Sequence, residues 1–203
     1  ATTADTDVSQ PWDKDNQAWW DWYVSLACNE APPERRAVLG PLPAVELPDD
    51  EALGRELREP YRVAAAARER FAADGYVKLE GVLSPGATLR LREALVRRLA
   101  AIFDTTLDGG AEQRFLSAEM VWLEDPLIRE YVLSPRIAGI CAALLDVPAV
   151  RLYHDNVLSK EPGCGRTPWH HDDHHFPLAT HDVVTAWIPA QAIPEAMGPL
   201  AFA

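Results

Sequence analysis

The chain has 203 residues, 48% of them hydrophobic and 25% charged, with a net charge of −12. That length can bury one sizeable core and leave residues for an appended arm, so one domain is the default. The acidic balance argues against a nucleic-acid surface or an anionic membrane as principal partner, because either selects clustered Lys and Arg.

The opening ten residues are polar, with no apolar core of a leader, and no stretch approaches the roughly 18 apolar residues that span a bilayer. Cys28, Cys141 and Cys164 are odd in number and widely spaced. They suggest neither a disulfide framework nor a cysteine zinc site, and a reducing interior fits them better. The reading is a cytoplasmic, soluble protein with no membrane and no nucleic acid among its partners.

Residues 11–26 hold four of the seven tryptophans, Trp12, Trp19, Trp20 and Trp22. Their spacing fits an amphipathic helix whose aromatic side docks on a larger body. Residues 31–50 are rich in proline and read as an extended connector. The division is therefore residues 1–60 as arm and connector, and residues 61–203 as the main body.

Residues 51–73 look helical, ended by Asp74-Gly75, and residues 76–79 read as a short apolar strand. Ser84-Pro85 caps a second helix reaching about Phe103, with leucines at 89, 91, 95 and 99. Its arginines, Arg90, Arg92, Arg97 and Arg98, read as a solvated face. A third helix covers residues 135–145. After Pro148 the period changes to two: Val150, Leu152, His154, Asn156 and Leu158 alternate with Arg151, Tyr153, Asp155 and Val157, as on a strand. Helices first and strands afterwards fit an α-flanked β-structure better than an alternating parallel sheet.

The chemistry concentrates in Trp169-His170-His171-Asp172-Asp173-His174-His175, before a β-patterned segment ending at Trp187. A histidine and an aspartate two residues apart on a strand share a face, which is how two legs of a facial iron triad are presented. Spacing alone leaves two registers open, His170 with Asp172 or His171 with Asp173. It also leaves open a solvated His-rich loop, and adventitious zinc or nickel binding by His170, His171, His174, His175 and His181.

The run Tyr153-His154-Asp155-Asn156-Val157-Leu158-Ser159-Lys160, the turn Glu161-Pro162-Gly163-Cys164-Gly165, then Pro168-Trp169-His170-His171-Asp172 and Phe176-Pro177-Leu178 resemble the phytanoyl-CoA dioxygenase family. Ala186-Trp187 and Met197-Gly198-Pro199-Leu200 follow in that family's order, and Asp74-Gly75-Tyr76-Val77 with Gly81-Val82-Leu83-Ser84 resemble its opening. The resemblance covers about residues 61–203. It implies a non-haem Fe(II)- and 2-oxoglutarate-dependent oxygenase and an α+β fold, with a double-stranded β-helix (jelly-roll, cupin-like) core and N-terminal flanking helices.

The family's ligand histidine directly follows the tryptophan, so the resemblance selects His170 and Asp172 as catalytic residues and iron ligands. It further implies Asn156 and Trp187 as 2-oxoglutarate contacts, and His154, Asp173 and Phe176 as substrate contacts. Lys160 is either functional or a solvated strand end. In the family, Gly-Pro-Leu is followed by Pro-Gly-Ser-His, which carries the third ligand, and by an arginine for the distal carboxylate of 2-oxoglutarate. Neither is found in the chain, which is therefore expected to be a portion of a longer protein lacking the C-terminal part of the core. His154 or His181 as substitute ligands have no support from the resemblance.

The activity so implied is oxidation of a small-molecule substrate with O2 and 2-oxoglutarate. A carboxylate at Asp172 fills the place that halogenases of this fold leave to chloride, so hydroxylation, desaturation, epimerisation or cyclisation is expected instead. The Ala/Arg-rich composition is associated with high-GC bacterial coding sequences, where such enzymes often serve secondary metabolism. Two rival readings are a catalytically silent member or fragment acting as a binding module, and a cupin-like enzyme using another metal without 2-oxoglutarate.

Overall fold

In the computed structural model, residues 44–105, 107, 115–161, 164, 167–172, 176 and 178–203 are described. The expected Trp-rich helix of residues 11–26 lies outside them, as does most of the proline-rich connector. Helix α1, Asp50–Arg58, starts at Asp49, whose carboxylate accepts a 2.7 Å bond from the Ala52 N–H. It carries Asp50 and Glu51 in its first turn and Arg55 and Arg58 in its last, as the helix dipole favours.

The single helix expected over residues 51–73 is broken. Glu59 leaves the helical region at ψ 126°, Pro60 follows, and the chain resumes as α2, Ala65–Asp74. A residue before proline is pushed towards extended backbone, and proline brings no N–H to continue the ladder. Gly75 ends α2 at φ 77°, where only glycine sits without strain. Residues 76–79 have no ladder partner among the described residues, so the expected strand is not formed. The Tyr76 ring instead stacks on Phe202, centroids 4.0 Å apart.

Three helices start alike. Ser84-Pro85 opens α3, Pro85–Ile102; Asp125-Pro126 opens α4, Pro126–Val132; and Ser134-Pro135 opens α5, Pro135–Leu145. In each, the cap side chain accepts backbone N–H bonds of the first turn, and proline fills a position whose N–H would lack a partner. Helices α3 and α5 lie where the sequence places them. Helix α4 carries the same signal, but at seven residues it is too short to show a helical period.

Strand β1, Phe115–Glu119, lies between α3 and α4 and pairs antiparallel with β2, Asn156–Lys160, with Ala118 opposite Val157 and Glu119 opposite Asn156. The order is thus interleaved rather than helices first and strands afterwards. The strand expected from Val150 begins only at Asn156, because β1 offers partners for just five residues. The described part is α+β, with five α-helices, two short 3-10 turns and one antiparallel ladder.

Helix α3 organises the core. Ala87 and Leu91 meet Leu53 and Leu57 of α1 and Tyr131 of α4. Further along, Ala94 and Leu99 meet Ala118 and Val157 of the sheet, Val121 and Ile128. Leu95 and Leu127 border both clusters and make them continuous. Buried polar groups are tied across elements: the Tyr131 hydroxyl donates to the Ala87 carbonyl at 2.7 Å, and the Ser134 hydroxyl to the Leu57 carbonyl at 2.9 Å.

The arginine face of α3 departs from expectation. Arg90 donates to the Pro48 carbonyl and pairs with Asp50, Arg92 donates to Gln191, and Arg98 pairs with Glu124; Arg97 alone of the four is exposed. The guanidinium groups of Arg90, Arg92 and Arg98 thus bridge to other parts of the chain.

Candidate functional site

Val157 packs into the core, and side chains alternate along a strand, so Asn156 and Leu158 lie on the opposite face of β2. There the Asn156 side-chain oxygen accepts a 3.1 Å bond from the Ser117 hydroxyl. At the end of β2, the Lys160 ammonium donates to the Thr167 hydroxyl at 2.7 Å and sits 5.5 Å above the Phe115 ring. Lys160 thereby joins the chain before residue 161 to the chain after residue 166, next to the His-rich run.

His170 and Asp172 are not on a strand, and the β-patterned segment ending at Trp187 is also irregular. Residues 168–172 join no ladder among the described residues. The pair nevertheless converges: Nε2 of His170 is 3.5 Å from Oδ1 of Asp172. Nδ1 of His170 is 2.8 Å from the Pro168 carbonyl, an acceptor, which places the ring proton on Nδ1 in the neutral imidazole. In that tautomer Nε2 is an acceptor and lies 3.5 Å from a carboxylate oxygen. Two acceptors this close are stabilised by a shared cation, either a proton or a metal ion. The other oxygen of Asp172, Oδ2, accepts a 2.7 Å bond from the Thr185 hydroxyl.

A second group adjoins this one. The His154 ring meets Phe176 edge-on at 5.0 Å, and Tyr153 meets both rings at 5.1 and 5.5 Å. Phe176 connects the groups, since its backbone N–H donates to the Asp172 carbonyl at 3.3 Å. His154 and Phe176 are thus brought together beside the His170 and Asp172 pair. Trp187 is exposed on the irregular segment, and Asp173 lies outside the described residues.

Beside His154, burial pushes the Asp155 carboxyl above the usual carboxylate range, opposed by the N–H groups of Trp122, Asp155 and Val121 and by His154. Among the described residues no cluster of three His, Cys, Asp or Glu side chains could hold a metal. Neither His154 nor His181 therefore completes a triad with His170 and Asp172 there.

Thr185, Thr167 and the Pro168 carbonyl were not legible as site groups in the sequence. Thr185 lies just before Ala186-Trp187, and its role depends on a contact 13 residues back.

The sequence model of the phytanoyl-CoA dioxygenase family matches residues 71–203, well over half of the chain. The chain belongs to the phytanoyl-CoA dioxygenase family. No curated protein and no solved structure matches it. Phytanoyl-CoA dioxygenase family members are in general Fe(II)- and 2-oxoglutarate-dependent dioxygenases, and their fold is cupin-like. Against that family, one imidazole nitrogen and one carboxylate oxygen 3.5 Å apart fit two legs of a 2-His-1-carboxylate triad. Among the described residues, no helix is long and apolar enough to cross a membrane.

Proposed function

We propose that the chain is an Fe(II)- and 2-oxoglutarate-dependent dioxygenase that hydroxylates a small molecule, or desaturates, epimerises or cyclises it, with His170 and Asp172 as its iron ligands. The observation that carries this reading is the convergence of Nε2 and Oδ1, with Nδ1 held by the Pro168 carbonyl, in a chain of this family. An outer hydrogen bond of that kind fixes the tautomer and raises the basicity of the ligating nitrogen. When bound, Fe(II) and 2-oxoglutarate supply the oxidation of a C–H bond by O2, with succinate and carbon dioxide as co-products.

The chain's own residues do the rest. His170 and Asp172 hold the metal from one side, and Asn156 and Trp187 contact 2-oxoglutarate. His154, Phe176 and Asp173 contact the substrate; the edge-on packing of His154 against Phe176 supplies a mixed polar and apolar wall next to the Asp172 backbone. Asp172 occupies the position that a halogenase leaves to chloride, which favours the hydroxylating group of reactions. The surrounding core is a double-stranded β-helix of the cupin-like kind, flanked by the N-terminal helices. A cytoplasmic enzyme of bacterial secondary metabolism is the setting this reading suits.

The test is an anaerobic titration of the purified protein with Fe(II) and 2-oxoglutarate. The visible charge-transfer band of the chelate is expected with the wild type and not with His170→Ala or Asp172→Ala. Absence of the band from folded wild-type protein favours a binding role over catalysis, and a band that persists in both variants overturns the ligand assignment.

A further inference from the structure

We infer that Thr185 is a positioning residue for the metal-binding carboxylate, holding Asp172 so that it presents a single oxygen to the metal. This rests on the iron reading above. The Thr185 hydroxyl donates to Oδ2 at 2.7 Å, while Oδ1 is the oxygen that faces Nε2 of His170 at 3.5 Å. The two oxygens of one carboxylate are therefore assigned to different partners.

The division has a chemical consequence. A carboxylate with both oxygens disengaged can chelate through both and fill an extra coordination position. A facial triad needs three positions left for co-substrate and oxygen, so its carboxylate must bind through one oxygen. Engaging Oδ2 in a hydrogen bond to a charged acceptor disfavours chelation and stops rotation about the Cβ–Cγ bond. The donor comes from a segment 13 residues further on, which couples the residues before Ala186-Trp187 to the ligand segment. Thr185 is itself exposed, so its side chain contributes little to core packing and the hydroxyl is the group that matters.

The experiment compares wild type, Thr185→Val and Thr185→Ser in anaerobic calorimetric titrations with Fe(II) alone, with His170→Ala and Asp172→Ala alongside. Valine keeps the shape and loses the donor, while serine keeps the donor. Thr185→Val is expected to bind Fe(II) about 10–100-fold more weakly, as loss of an outer-sphere partner typically does, with Thr185→Ser recovering most of the affinity. The melting temperature of Thr185→Val is expected to match wild type. The inference is overturned if Thr185→Val binds as tightly as wild type, or more tightly, while Asp172→Ala loses binding. It is also overturned if Thr185→Ser is as weak as Thr185→Val. Wild type that binds no Fe(II), or His170→Ala that binds it equally well, overturns the iron reading itself and this inference with it.

Discussion

The Lys160 ammonium and the Thr167 hydroxyl meet at 2.7 Å across the neck of the segment between β2 and His170. Strand β2 is anchored to the core through Val157, so this bond links the position of the sheet to the segment that carries His170 and Asp172. Replacing Lys160 by Met keeps the length of the apolar stem and removes the donor together with the charge over Phe115. Fe(II) affinity measured by anaerobic titration is expected to fall by up to about tenfold, the low end for outer-sphere partners. An unchanged Kd would show that the His170 segment is held without this tie.

Asp172→Gly removes the carboxylate while the fold, measured by circular dichroism, should persist because the residue is exposed. Hydroxylated product and succinate formation are both expected to be abolished. Turnover that survives in Asp172→Gly would move the ligand pair to His171 and Asp173.

Asp155 makes the pH dependence of stability testable. Its folded-state pKa is raised, chiefly by burial, so between the ordinary carboxylate value and the raised one the folded protein binds more protons than the unfolded chain. Stability therefore falls as pH rises through that window, and the ionised carboxylate destabilises the fold at neutral pH. Asp155→Asn is expected to raise the melting temperature at pH 7 by roughly 2–4 °C, the equivalent of about 1 kcal/mol for a domain of this size. The gain should shrink towards pH 4. A variant less stable than wild type at pH 7 would show that the N–H groups of Val121 and Trp122 outweigh burial.

Gly86 leaves no room for a side chain. A Cβ there would lie 2.4 Å from the Glu46 carbonyl oxygen, a backbone atom, where the chain entering α1 crosses the first turn of α3. Gly86→Ala is expected to destabilise by about 1–3 kcal/mol through overpacking. The urea midpoint should move with little change in slope, and a midpoint equal to wild type would mean that the crossing segment yields freely.

Tyr131→Phe tests the tie between α4 and α3. The hydroxyl is buried and donates to the Ala87 carbonyl, so its loss leaves a buried acceptor short of a partner. A loss of about 1–2 kcal/mol in urea unfolding is expected.

Much of the helical framework was legible because its signals are local. Ser84-Pro85 and Ser134-Pro135 mark helix starts through bonds that reach only three residues along the chain. The same logic was available at Asp125-Pro126, and at Pro60, where the continuous pattern of residues 51–73 concealed a break. Strand β1 was not legible. Phe115-Leu116-Ser117-Ala118-Glu119 becomes a strand through pairing with β2, whose partner residues lie 37 to 45 positions further along the chain.

By itself the sequence determined which residue types are at hand and where most helices start: caps and prolines act through neighbours, and His170 and Asp172 stand two residues apart whatever the fold. Only the tertiary structure decided that this pair converges from an irregular segment, that Asn156 faces away from the helical core, and that Thr185 bonds to Asp172 and Lys160 to Thr167. Those contacts close loops in the chain, and loop closure is governed by what the core packs together, not by spacing along the sequence.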